Sequence, residues 1–166
     1  MKRQDFSAED WEARVLRLLS AHPDTISVTD MRHVARERRG GADGIWKIRQ
    51  QGKDLEIQFL IAIAAPGSHD VRFEVAELHG TDTTPGSALS ETVQLVFVCS
   101  PSSHSMLTLP AHELRELIAS KKEYVRKVTQ VTHRDVKGVR LSDQVLVPLA
   151  DLAVLSGATV SHPESW

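Results

Sequence analysis

The chain has 166 residues, 41% hydrophobic and 25% charged, with a formal net charge of −2. This describes an ordinary globular domain long enough to bury a sizeable core, and it excludes a protein that coats nucleic acid by bulk positive charge. The single cysteine, Cys99, excludes an internal disulfide framework and a cysteine-based zinc site, and the lack of asparagine excludes N-glycosylation. The longest apolar run, Phe59 to Ala65, is too short to cross a bilayer, and no apolar stretch follows Met1-Lys2-Arg3-Gln4-Asp5. Neither a membrane span nor a secretory signal is therefore expected, and a reducing cytoplasm is the expected location.

Ser7-Ala8-Glu9-Asp10 has the spacing of a helix N-cap with an acidic partner three residues on. Trp11, Val15, Leu18 and Leu19 follow at helical period, and His22-Pro23 ends the run. Glu12 stands beside Trp11 at the margin of that apolar stripe, where its carboxylate can lean toward whatever the helix packs on. Ile26–Thr29 reads as a short strand and Asp30–Arg39 as a polar helix or basic loop. Ile45–Gln50 and Leu55–Ala64 read as a hairpin around Gln51-Gly52-Lys53-Asp54. Strand alternation puts Leu55, Ile57, Phe59, Ile61 and Ile63 on one apolar face, predicted to be core, and Glu56, Gln58 and Leu60 on the other.

Val71–Leu78 fits a strand or a helix, and Gly80–Ser90 is a loop by composition. Val93–Cys99 is a continuous apolar run, as expected of a strand buried on both faces. Met106–Leu109 predicts a short strand, and Pro110 opens a second amphipathic helix to about Ser120. Tyr124–Thr132, Val136–Leu141 and Val145–Val147 predict strands, and Pro148–Leu155 a short closing helix. The expected fold class is α/β or α+β: a mixed central β-sheet flanked by helices. A single domain over residues 1–156, with a loose tail over 157–166, is expected.

Several chemistries are missing. There is no phosphate-cradling P-loop, no G-x-G-x-x-G and no G-x-S-x-G, and the eight histidines show no paired metal spacing. Cys99 lies inside an apolar strand and reads as an inert core thiol. Ser100, Ser102, Ser103 and Ser105 beside His104 form a serine-rich turn without triad spacing. What remains is acidic. Asp43 precedes the first hairpin strand, where pairing can bring it toward Glu56, and two convergent carboxylates suit a hard divalent cation. The competing reading is a partly exposed hairpin with ordinary surface charges. Basic residues cluster twice: Arg32, Arg36, Arg38 and Arg39, then Lys121, Lys122, Arg126, Lys127, Arg134, Lys137 and Arg140. Such patches can bind phosphates, although either can equally be a solvated face.

Trp11-Glu12 with Leu18-Leu19, then Gly40-Gly41-Ala42-Asp43-Gly44-Ile45, then the strand Leu55-Glu56-Ile57-Gln58-Phe59-Leu60, form a succession. It resembles the Mrr-like branch of the PD-(D/E)XK nuclease superfamily, the restriction-endonuclease-like fold. The later run from Val93 into the serines up to Ser103 is similar to a further strand of that family, so the resemblance covers roughly residues 10 to 105. It implies a DNA endonuclease of the restriction or phage-defence type that uses Mg2+ or Mn2+. Asp43 and Glu56 would be the metal ligands, Glu12 a direct or water-mediated contributor, and Gln58 would position the attacking water. Arg36, Arg38, Arg39, Lys121, Lys122, Arg126 and Lys127 would contact DNA phosphates, and a homodimer would suit the two strands of a duplex.

The chain departs from the family at one point. The lysine expected after the acid or amide falls on Gln58 in one register and on Leu60 in the other. Lys47, on the same alternation as Asp43, is another source of that charge. The alternative reading is a catalytically inactive nuclease-like module that binds nucleic acid or a protein partner. A third is an interaction or immunity-type protein whose hairpin acids are surface charge.

Overall fold

The Ser7 hydroxyl opens the first helix as its spacing predicts. It accepts the Asp10 N–H at 3.2 Å, and the Asp10 carboxylate accepts the Ser7 N–H at 2.8 Å, closing a reciprocal cap over α1, Ala8–Ala21. The computed structural model describes residues 7–32, 41–79, 82–124, 128–135 and 138–162. Trp11, Val15 and Leu19, one helical face, are buried, and His22 caps the C-terminus of α1.

Three strands follow as an antiparallel ribbon: β1 (Thr25–Asp30), β2 (Gly44–Gln50) and β3 (Lys53–Ile63). The β2–β3 turn places Gln51 at φ 51° and Gly52 at φ 75°. Two successive residues of positive φ match the right-handed twist of the strands, and glycine reaches that region without strain. The Trp46 indole N–H donates to the Thr25 hydroxyl at 2.8 Å, and that hydroxyl donates to the Leu19 carbonyl at 2.5 Å, tying α1 to the ribbon.

The chain then leaves this sheet through β4 (Asp70–His79) and β5 (Asp82–Pro85) and returns as β6 (Leu95–Ser100), parallel to β3. A parallel neighbour requires such a crossover, since no short turn can reverse the chain twice. β7 (Ser105–Pro110) pairs antiparallel to β6, and α2 (Ala111–Ser120) follows. β8 (Val128–Asp135) and β9 (Gly138–Pro148) join β4 and β5 in a second, antiparallel sheet of order β5-β4-β9-β8. α3 (Leu149–Ala153) leads to β10 (Thr159–Ser161), which pairs with β7 and completes the six-stranded order β1-β2-β3-β6-β7-β10.

The expected α+β class, a mixed sheet flanked by helices, is found. Alternation divides the core in two. Phe59, Phe97 and Cys99 face α1 and pack with Trp11, Val15, Leu19 and Met106. Leu60, Val96, Val98, Leu107 and Leu109 face the other way, against Val71, Phe73, Val145 and Val147 of the second sheet, Leu114 of α2 and Leu152 of α3. Of the expected buried run Val93–Cys99, Val96–Cys99 is buried on both faces, whereas Gln94 is exposed and the strand starts at Leu95.

Four local expectations are revised. Gly80–Ser90, a loop by composition, carries the strand β5 paired with β4. The first half of β3 projects beyond the core: Leu55 is 42% exposed, so the apolar face starts at Ile57. The two strands expected at 136–147 form the single strand β9. Part of the expected loose tail, Thr159–Ser161, is an edge strand. The ambiguous stretch from Val71 is strand, because Val71 and Phe73 alternate with exposed Arg72 onto the shared core. Among the described residues, no helix is long and apolar enough to cross a membrane.

Candidate functional site

The end of the β1–β2–β3 ribbon nearest α1 gathers charge. β1 stops at Asp30, paired with Gly44 at the start of β2, and the Met31 N–H donates to the Asp43 carbonyl at 2.8 Å. Two residues on, Arg32 folds back over Asp30. Its backbone N–H and Nε donate to Asp30 Oδ1 at 3.0 and 2.9 Å, and Nη2 to Oδ2 at 2.6 Å. Its Nη1 donates to the Glu12 carboxylate on α1. One guanidinium therefore holds two carboxylates from different elements, using the fork of donors that arginine presents. Its pKa is raised further, first by its hydrogen bond to Asp30 and then by the charges of Glu12 and Asp30, against a contrary effect of burial.

Asp43 sits beside this cluster. Its N–H donates to the Phe59 carbonyl at 2.9 Å and its Oδ2 accepts the Ile61 N–H at 2.8 Å. The residue thus brackets Leu60, which is only 6% exposed. Burial pushes the Asp43 carboxyl up to about 6 against the opposing effect of the Ile61 hydrogen bond. Glu12 and Asp30 raise it and Arg32 lowers it, which places all four groups within electrostatic reach of one another.

Of the acids singled out in the sequence, Glu12 and Asp43 come together and Glu56 does not join them. Glu56 pairs across the hairpin with Lys47, whose Nζ lies 2.7 Å from its carboxylate; the Glu56 side chain is 58% exposed. Lys47 is four residues down β2 from Asp43, about 13 Å of strand. The expected magnesium pair Asp43 and Glu56 therefore does not fit a shared ion, because the hairpin register separates the two carboxylates and Lys47 neutralises one. The register also uses Lys47 on Glu56 rather than at Asp43. Among the described residues, no group of three His, Cys, Asp or Glu side chains is arranged to hold a metal ion.

Gln58 lies between the two acids, opposite Ile45. Its backbone is engaged by Gln94: its N–H donates to Gln94 Oε1 at 3.0 Å, and its carbonyl accepts the Gln94 N–H at 2.9 Å. Arg36, Arg38, Arg39, Arg126 and Lys127 lie outside the described residues. Lys122 begins a short 3-10 turn, Lys122–Tyr124, and the Lys121 side chain lies 3.8 Å from Glu123 in an exposed pair. Burial, then the charge of Glu12, pushes the Cys99 thiol up to about 12, so it stays protonated at neutral pH and is no nucleophile.

Asp30 belongs to no motif in the sequence, and Arg32 stands out there only within a basic patch. The sole signal was Asp30-x-Arg32 at a strand end, a spacing that lets the guanidinium fold back on its own turn. A scan against protein-family models, a search of curated proteins and a search of solved structures return no match to this chain.

Proposed function

We propose that the chain is a nuclease-like module that binds nucleic acid without cutting it. The observation that carries this reading is Leu60. It is buried between the two hydrogen bonds of Asp43, at one of the two positions, with Gln58, where the resembled family keeps a lysine. Phosphodiester hydrolysis needs positive charge at the attacked phosphate and an activated water. Here the strand position beside Asp43 offers an apolar side chain, and, among the described residues, the nearby cation Arg32 is committed to Glu12 and Asp30. Binding would fall to the basic segments around Arg36 to Arg39 and Lys121 to Lys127, through phosphate contacts that are independent of sequence and sensitive to salt.

The experiment pairs fluorescence anisotropy on labelled duplex with plasmid cleavage in magnesium or manganese. Binding that weakens steeply between 50 and 200 mM salt, drops in Arg36→Ala/Arg38→Ala/Arg39→Ala and comes without nicking supports the proposal.

A second reading, metal-dependent endonuclease, is favoured by one observation: the charges of Glu12 and Asp30, both paired with Arg32, act on the buried carboxyl of Asp43. Nicking that needs the metal and is lost in both Glu12→Gln and Asp43→Asn would favour that reading. Neither cutting nor salt-sensitive binding would leave the protein-partner role.

A further inference from the structure

On the opposite face of the sheet from the charged cluster, β6 ends in a residue whose polarity is unused. Alternation places Val96, Val98 and Ser100 on the side covered by the second sheet, away from Cys99 and α1. Ser100 is 3% exposed, and its hydroxyl has no hydrogen-bond partner. A buried hydroxyl left unpaired is unfavourable, and native structures rarely leave one so without a reason. Ser100 lines a cavity of about 330 Å3 together with Val98, Leu107, His69, Ser103 and Ala153. That volume falls within the range of small-molecule sites, roughly 300–1,000 Å3. The cavity opens beyond the carboxyl end of the parallel pair β3 and β6, the end at which open sheets leave a crevice between diverging connections.

The geometry points to a binding pocket for a small uncharged amphipathic molecule, with an amide or hydroxyl group meeting Ser100 and an apolar body against Val98, Leu107 and Leu149. The lining chooses this chemistry. Among the described residues no Asp, Glu, Lys or Arg lines the cavity, and its one ionisable side chain, His69, is exposed to water, so a charged head would lose its hydration without gaining a buried counter-charge. A serine hydroxyl both donates and accepts, which suits an amide or alcohol. Ser102 already accepts the Gly67 N–H at 2.8 Å, and Ser103 and Ser105 share a hydrogen bond of 2.6 Å. Among these serines, Ser100 is the one whose hydroxyl has no hydrogen-bond partner within the fold. Neither the acidic cluster nor nucleic-acid binding enters this argument.

The full chain, labelled with carbon-13 at methyl groups, is titrated with benzamide, benzyl alcohol, benzoate and benzylammonium. Benzamide and benzyl alcohol are expected to shift the Val98 and Leu107 methyl resonances saturably, with the two ions binding at least about ten-fold more weakly. Ser100→Ala should weaken benzamide by about five-fold, the worth of one hydrogen bond, while the spectrum stays that of the folded protein. Ala153→Trp, at an exposed lining position of α3, should block the cavity and abolish the shifts. The proposal is overturned by the absence of saturable shifts, which would mean a water-filled cavity only. It is equally overturned by ions binding as well as the neutral probes, by unchanged benzamide affinity in Ser100→Ala, or by binding that survives Ala153→Trp.

Discussion

The Asp43 carboxylate accepts the Ile61 N–H at 2.8 Å, doing with a side chain what the next backbone carbonyl of β2 would do in a longer ladder. The hairpin thereby gains one rung past its last backbone pair, Gly44 with Phe59. The cost is a carboxylate held largely out of water, with Glu12 and Asp30 adding repulsion. That burial, opposed by the hydrogen bond to Ile61, makes the ribbon end sensitive to proton concentration.

The folded protein holds the Asp43 proton up to about 6, whereas the ordinary value is 3.8. Between those values the native state binds more protons than the unfolded chain, so stability falls as pH rises through this window and is level above it. Two units correspond to about 3 kcal/mol. Asp43→Asn keeps an oxygen for the Ile61 N–H and removes the charge. It should be more stable than the parent by about 1–3 kcal/mol at pH 7.5, with the gain vanishing near pH 4. Urea denaturation at pH 4, 5, 6 and 7.5 measures this, and parallel profiles for the two proteins would refute the assignment.

Arg32→Met keeps the aliphatic stem and deletes the cation between Glu12 and Asp30. The Arg32 side chain is 24% exposed, so the loss should be intermediate between surface and buried pairs, about 1–3 kcal/mol at neutral pH. The Asp43 carboxyl should also titrate at higher pH, because Arg32 holds it down. Carboxyl carbon NMR reads this second effect, which simple loss of packing would not produce.

Gly44→Ala tests the close approach at the ribbon end. A Cβ there would stand 2.3 Å from Phe59 Cζ and 2.8 Å from the Thr29 carbonyl oxygen. Phe59 is fully buried against Trp11 and Phe97 and has little room to yield. Overpacking of this kind costs about 1–3 kcal/mol, read as a lower denaturation midpoint with an unchanged m-value.

Glu56→Ala should be nearly silent. Its pair with Lys47 is exposed, and such pairs contribute little. Neither stability nor duplex binding should change measurably. A Glu56→Ala variant that loses a metal-dependent activity would restore the carboxylate to the role its sequence position suggested.

The elements themselves were readable from local pattern. The capped helix at Ser7, the hairpin around Gln51-Gly52, the buried run ending at Cys99 and the helix after Pro110 each follow from short-range periodicity and turn chemistry. The approach of Asp43 to the Glu12 charge was half visible, because both stood where their elements could turn them inward. Glu56 misled because alternation states which face a side chain takes but not how far along the strand its partner lies; the register of Lys47 on Glu56 decided that.

Local order along the chain was enough to specify the two longer helices, most of the strands and an α+β class, since those depend on neighbours within a few residues. Tertiary structure alone chose the second sheet, the return of Thr159–Ser161 to β7, the clasp of Arg32 on Glu12, and the cavity beneath Ser100. These are meetings between residues far apart in the chain. Which of many distant partners is met depends on how the layers stack, and no short stretch of sequence carries that information.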